Sequence, residues 1–286
     1  MPAMTRRIAC ICLFFVTLFS NTLSAQLAKL ILPVSHTNKV EDITLSLDEK
    51  YMASVDLDGV VKFWEVATGR LYQTFSHPSA GTVAISGDNR YVISAGLDGA
   101  LKVWDVESGQ LFKTMHKHPG ALSCMKLSPG GKTLVSGDQS GNIVVWDMNK
   151  LEPVFMSKTG GGMVNDITFS HNGKWFAAAV WEDIYTWDLN NEKPLHILKG
   201  HKDKVHAINF SDNDELLVSS SWDNTARTWN TATGATVMSF LGHTQSVFDV
   251  QFSRDQKQIV TAANDSTIRT WDIATGKTIK ILKGHT

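Results

Sequence analysis

Serine, histidine and aspartate return together along this 286-residue chain, and they are the residue types of nucleophilic acyl-transfer catalysis. A nucleophile of that kind needs one open cleft that a substrate can enter. Here the three types come back several times at fixed spacing, which is the mark of a repeated interior slot, so the catalytic reading is rejected. Gly276-Lys277-Thr278 and Gly131-Lys132-Thr133 end like phosphate-binding loops. The glycine required five residues earlier is replaced by Trp271 and Lys126, so both read as turns. No two histidines have zinc-ligand spacing, and no cysteine stands ready to complete a site. His116 and His118 flank Lys117, but His118 belongs to the repeated set and His116 is expected at the surface. The acidic residues are scattered over turns. The sequence therefore predicts no catalytic, metal-binding or cofactor-binding residue, and no cofactor.

Bulk properties point the same way. The net charge is −1, which implies no strong pull toward nucleic acid or anionic membranes. Hydrophobic residues make up 43% of the chain, enough for a sizeable core. At the N-terminus, Arg6 and Arg7 precede an apolar run from Ile8 to Phe19, followed by small and polar residues from Ser20 to Gln26. That order is a secretory signal peptide over residues 1–25, with cleavage expected after Ala25. The run is too short to span a bilayer. The mature protein is accordingly expected in the periplasm, at the cell surface or outside the cell, with no membrane attachment. Cys10 and Cys12 leave with the signal, so Cys124 is the single thiol and no internal disulfide is available. It is read as a small buried hydrophobe in a strand.

The elements that must position these side chains repeat. Six tryptophans fall at 64, 104, 146, 187, 229 and 271, in steps of 40, 42, 41, 42 and 42 residues. Each is followed by Glu65, Asp105, Asp147, Asp188, Asn230 or Asp272. A histidine precedes five of them by 27 or 28 residues: His36, His77, His118, His201 and His243. Unit five shows the internal grammar. Val205–Phe210 alternates like a strand, residues 211–215 turn, Leu216–Ser219 form a second strand, Trp222-Asp-Asn224 turn tightly, Thr225–Trp229 form a third strand, and Thr236–Phe240 follow as a fourth after Thr231-Ala-Thr-Gly234. Four short antiparallel strands per unit describe a propeller blade.

Gly200-His201 … Trp229-Asn230 and Gly242-His243 … Trp271-Asp272 resemble the Gly-His … Trp-Asp signature of WD repeats. The resemblance runs from about residue 28 to the C-terminus, and its exported setting suggests a bacterial-type member. It implies an all-β propeller with a buried His–Ser/Thr–Asp–Trp tetrad in each regular blade. Carried over by position, the tetrads are His36, Ser54, Asp58 and Trp64; His77, Ser94, Asp98 and Trp104; His201, Ser219, Asp223 and Trp229; and His243, Thr261, Asp265 and Trp271. Unit three has His118, Ser136 and Trp146, with Ser140 where the aspartate is expected. Unit four keeps only Trp187-Asp188: Gly160-Gly161-Gly162 replaces the histidine region, Ala177-Ala-Ala179 replaces the hydroxyl, and the turn after Val180 is one residue short. It is expected to be the least stabilised blade, or one modified for use.

Six four-stranded blades are visible over residues 27–286. The segment from Leu27 to His36 reads as an outer strand, and Lys283-Gly284-His285-Thr286 opens another repeat. Both features are expected of part of a seven-bladed ring, incomplete at the C-terminus, and without closure the apolar faces of units one and six would lie exposed.

By the same resemblance, partners would be met just before each tetrad aspartate and early in each innermost strand. Those positions are Leu57, Leu97, Gln139, Trp222 and Asn264, with Trp181 from unit four, and Glu41, Gly81, Ser123, Asn165, His206 and Phe248. From these, Glu41, Trp181, His206, Trp222, Phe248 and Asn264 are the candidate partner-binding residues. Trp222 is expected to be exposed, and Trp181 and Trp175 packed. The function implied is an exported scaffold that binds a protein or peptide, without catalysis and without nucleic-acid binding. The alternatives are an accessory propeller of a longer enzyme, with a protease or other effector domain, and a glycan or small-ligand binder at the aromatic end.

Overall fold

The computed structural model of the protein describes residues 36–284. The signal-peptide reading of residues 1–25 and the strand reading of residues 27–35 fall outside them. The described residues form six four-stranded antiparallel meanders. Blade one contains β1 (Val40–Leu45), β2 (Tyr51–Asp56), β3 (Val60–Glu65) and β4 (Leu71–Ser76). Blade two contains β5 (Ala80–Ile85), β6 (Tyr91–Gly96), β7 (Ala100–Asp105) and β8 (Leu111–His116). Blade three contains β9 (Leu122–Leu127), β10 (Thr133–Asp138), β11 (Asn142–Asp147) and β12 (Glu152–Lys158). Blade four contains β13 (Val164–Phe169), β14 (Trp175–Val180), β15 (Asp183–Asp188) and the short β16 (His196–Leu198). Blade five contains β17 (Val205–Phe210), β18 (Leu216–Ser221), β19 (Thr225–Asn230) and β20 (Thr236–Leu241). Blade six contains β21 (Val247–Phe252), β22 (Gln258–Ala263), β23 (Thr267–Asp272) and β24 (Thr278–Lys283).

Local chemistry sets the turns. The first hairpin of most blades closes on a serine whose hydroxyl donates to an Asx side chain two residues on and accepts the N–H five residues on. Ser46 meets Asp48 at 2.7 Å and Tyr51 N at 2.9 Å; Ser86, Ser211 and Ser253 repeat the motif. The fourth residue of this turn takes positive φ, as at Asn89 and Asp214 (61° and 60°), where Asn and Asp tolerate the left-handed region better than bulkier residues.

Blades pack face to face. The inner strands β1, β5, β9, β13, β17 and β21 pack in series, whereas β21 and β1, the ends of the series, do not pack on one another as the other neighbours do. The core lies between blades. Phe63, Phe75 and Val61 of blade one enclose Trp104 of blade two, and Trp146, Trp187, Trp229 and Trp271 close the next four interfaces in turn. Those four indoles are essentially fully buried, and each is worth several kcal/mol of apolar burial, roughly 3–5 on truncation to alanine. At the ends of the series apolar side chains meet solvent: Ile43, Leu45 and Leu47 near β1, and Ile279, Ile281 and Leu282 on β24.

Candidate functional site

Five blades hold a tetrad. In blade five, Trp229 Nε1–H donates to Ser219 Oγ at 2.8 Å, His201 Nε2 lies 2.8 Å from the same oxygen, and His201 Nδ1 lies 2.8 Å from Asp223 Oδ2. The carboxylate can only accept, so His201 Nδ1–H donates to it. Nε2 of the neutral ring then accepts the serine proton, and the serine oxygen accepts from the indole. No buried donor in the relay is left over. Blade six repeats it with Trp271, Thr261, His243 and Asp265. Burial opposes ionisation of Asp223, but the hydrogen bonds from His201 and Thr225 prevail and hold it far below the usual carboxylate range. Asp265 is held low in the same way by Thr267 and His243. Burial pushes the His243 ring down, keeping it neutral.

Blade two carries its ring reversed. His77 Nδ1 faces Ser94 at 2.8 Å and Nε2 faces Asp98 at 3.0 Å; the path from histidine to serine is one residue shorter here than in the other blades.

Blade one departs from its sequence assignment. His36 Nδ1 meets Asp56 Oδ2 at 2.8 Å, while Asp58 receives a bond from Asn38 at the surface. Asp56 ends β2, is wholly buried and also accepts from Asp58 N and Val60 N. Blade three uses the same solution: Asp138, not residue 140, faces His118 at 3.3 Å and accepts from Asn142 Nδ2 at 2.7 Å. Its tetrad is complete, with Ser136 and Trp146. The signal was an aspartate two residues beyond the tetrad serine, where blades two, five and six have Gly96, Ser221 and Ala263.

Blade four replaces the relay with aromatic packing. Trp187 pairs across the hairpin with Phe176, and Tyr185 with Ala178, so Ala178 stands where the hydroxyl would be. Trp187 Nε1 is buried without a partner. Phe176 stacks on the indole at 4.9 Å and Tyr185 at 5.8 Å. The Tyr185 hydroxyl accepts from Gly160 N at 3.1 Å and so holds the glycine loop that stands in for the histidine.

The candidate partner-binding residues sit at two recurring backbone positions on one end of the propeller. Glu41, Gly81, Ser123, Asn165, His206 and Phe248 are each the extra residue of a β-bulge in an inner strand, a device that re-aims a side chain at a barrel or propeller rim. All six are half-buried. Leu57, Leu97, Gln139, Trp181, Trp222 and Asn264 are each fixed by a backbone N–H bond of 2.9–3.2 Å to the carbonyl just ahead of the neighbouring inner strand. Four of these six are large and apolar, and Leu57, Leu97 and Trp181 are 59%, 64% and 49% exposed. Trp181 is therefore exposed, not packed: the two-residue turn gives it a φ of 52° and lifts its side chain away from the blade. Trp222, expected in the open, is half-buried; Lys204 Nζ lies 5.0 Å from its ring centroid. Trp175 is half-buried, and His116 is exposed.

His206, Trp222 and Phe248 come together. The His206 and Phe248 rings are 5.2 Å apart at 86°, and Trp222 and Phe248 are 6.3 Å apart at 72°. No ring contact joins Trp181 to them among the described residues, although the Trp181 carbonyl accepts from Val205 N. Glu41 pairs with Lys39 at 2.9 Å, and Asn264 Nδ2 donates to Gln245. Below the bulges, inner-strand residues Asp42, Asp166 and Asp249 supply carboxylates that sequence reasoning passed over as scattered. Burial raises Asp166 to about 6 against bonds from Ile208 N and the attraction of Lys126. Asp42 is raised by burial as well, and Lys126 draws on it too. Cys124 is half-buried on β9, its thiol 3.6 Å from the Val164 carbonyl. Among the described residues no group of three or more His, Cys, Asp or Glu side chains could hold a metal ion, and no helix is long and apolar enough to cross a membrane.

Comparison with known proteins agrees with this geometry. The family described as "WD domain, G-beta repeat" matches residues 28–65, 69–105, 109–147, 192–230 and 234–272. Blade four, which lacks the relay, is the stretch passed over. The apoptotic protease-activating factor 1 of Homo sapiens is 26% identical over 165 residues, covering 54% of this chain and 13% of that protein. The small ribosomal subunit protein RACK1 of Candida albicans is 37% identical over 62 residues, covering 22% of this chain and 19% of that protein. The chain thus spans less than a fifth of the length of these relatives.

Proposed function

Since the chain belongs to the WD-repeat family, we propose that it is an exported protein-binding scaffold, with no catalysis of its own, that receives a protein or peptide on the end carrying Leu57, Leu97, Trp181 and Trp222. Members of the family generally bind protein partners, and the observation that carries the reading here is the arc of exposed apolar side chains. Four of six equivalent turn positions carry Leu or Trp, and three of them, Leu57, Leu97 and Trp181, present the side chain to solvent, each turn held by a backbone bond. Apolar anchors grouped on a rigid surface are what a partner buries. The repeated Ser, His and Asp side chains are consumed in buried relays, which supports a structural role for them. Export rests on the order of residues 1–25, and the destination proposed is the periplasm, the cell surface or the exterior.

The experiment is affinity capture from the source organism's extracellular and envelope fractions, with the wild-type protein compared with Leu97→Glu and Trp181→Glu. Both residues are exposed, so the fold should hold. Partners captured by the wild type and lost with both variants support the reading. Capture that is indifferent to both variants overturns it. Localisation is read by fusing residues 1–40 to a reporter active only after export; an inactive reporter overturns the export reading.

A further inference from the structure

We propose that the mouth of the central bore between blades five and six is a cation-accepting subsite, in which Trp222, His206 and Phe248 receive the guanidinium or ammonium group of a partner's arginine or lysine side chain. The inference deepens the scaffold reading and rests on it. Three rings from adjacent blades meet here at steep angles, 86° between His206 and Phe248 and 72° between Trp222 and Phe248, so they present walls rather than a flat stack. An aromatic face is attractive to a cation, and this one already has a cation over it: Lys204 Nζ lies 5.0 Å from the Trp222 centroid.

The field beneath the rings has the matching sign. Phe248 is followed on β21 by Asp249. His206 lies two residues before Ile208, whose amide donates to Asp166 at 2.9 Å. Asp42 completes three carboxylates along the inner strands, against which Lys126 is the lysine close enough to act on Asp42 and Asp166. The Asp249 carboxylate repels that of Asp166 and makes Asp166 harder to ionise. A cation delivered to the mouth relieves this mutual repulsion, whereas an anion or a phosphate meets it. Lys204 lies over the face of the Trp222 ring that a partner's cation would use. At such a partly exposed site the lysine's preference for the ring is only about two- to fivefold, so a partner's side chain can displace it.

The test is titration of the indole N–H resonances of 15N-tryptophan-labelled protein with N-acetyl-arginine amide, using N-acetyl-leucine amide as the uncharged control. The Trp222 resonance is assigned by its loss in Trp222→Phe. The expected result is a saturable shift of that resonance with the arginine compound alone, weakened by salt, absent in Phe248→Ala and tightened about two- to fivefold in Lys204→Met. The buried indoles of Trp146, Trp187, Trp229 and Trp271 report in the same spectra that each variant remains folded. An equal response to both compounds, no response in either wild type or Lys204→Met, or a shift that survives Phe248→Ala overturns the subsite. The titration requires none of the residues Leu57, Leu97 or Trp181. Its failure alongside capture that depends on Leu97 and Trp181 removes the cation subsite alone. Its success alongside capture indifferent to those residues removes the scaffold reading alone.

Discussion

Replacing Asp56 by alanine should damage blade one far more than replacing Asp58, although Asp58 occupies the position that corresponds to the aspartate of blades two, five and six. Asp56 is wholly buried and accepts three bonds: His36 Nδ1 at 2.8 Å, Val60 N at 3.0 Å and Asp58 N at 3.1 Å. Its loss strands the histidine, and through it the bond to Ser54 that Trp64 also uses. Leaving a buried donor without its acceptor costs about 1–3 kcal/mol, and the two amides, only partly buried, can recover some of their share from water. Asp58 is exposed, and its side chain accepts a single 3.1 Å bond from Asn38, so Asp58→Ala should fall within about 0.5 kcal/mol of wild type. Repeat proteins can unfold blade by blade, so a global midpoint alone is too blunt. The assay is urea unfolding combined with hydrogen exchange read on peptides from β1 to β4. Asp56→Ala should collapse protection across those strands and lower the urea midpoint, while Asp58→Ala leaves both near wild type. Asp138→Ala against Ser140→Ala should reproduce the contrast in blade three. Equal effects at Asp56 and Asp58, or a harmless Asp56→Ala, would refute the reasoning.

Other outcomes follow from the same geometry. Trp187 Nε1 has no partner whereas Trp229 Nε1 donates to Ser219, so Trp187→Phe should cost about 1 kcal/mol less than Trp229→Phe in chemical unfolding, the worth of one hydrogen bond. Asp166 titrates near 6 in the folded protein and lower when unfolded, so the fold binds the proton more tightly. Stability should therefore rise as pH falls from about 7 to 5, by roughly 1 kcal/mol, and Asp166→Asn should abolish much of that rise in thermal unfolding measured at both pH values. Asp223 and Asp265 have the opposite sign: their folded values are depressed, so their contribution is present above about pH 4 and is lost as the solution is acidified further. A pH 7 to 5 response that is the same in wild type and Asp166→Asn would contradict the first assignment, and a wild-type Tm that does not fall on acidification below about pH 4 would contradict the second.

The sequence by itself determined the repeat and the strands. Tryptophans about 42 residues apart, with turn residues between β-branched runs, gave the unit-five strands within two residues of β17 to β20, because strand alternation and turn chemistry are local. The resemblance to WD repeats, carried over position by position, singled out the bulge and turn residues, whose backbone placement depends on spacing within one hairpin. The tertiary structure decided what depends on distance between chain segments. Asp56 and Asp58 are equally plausible acceptors when read along the chain, and only the register of β2 against the loop carrying His36 brings Asp56 to the ring. Trp181 looked like a packing residue because tryptophan usually is one, and a turn shortened by one residue turned it outward. Asp42, Asp166 and Asp249 looked scattered because they lie about 80 to 120 residues apart in the chain. Lys126 acts on both Asp42 and Asp166, and Asp249 on Asp166, because the first strands of the blades pack against one another in series, and no local pattern carries that information.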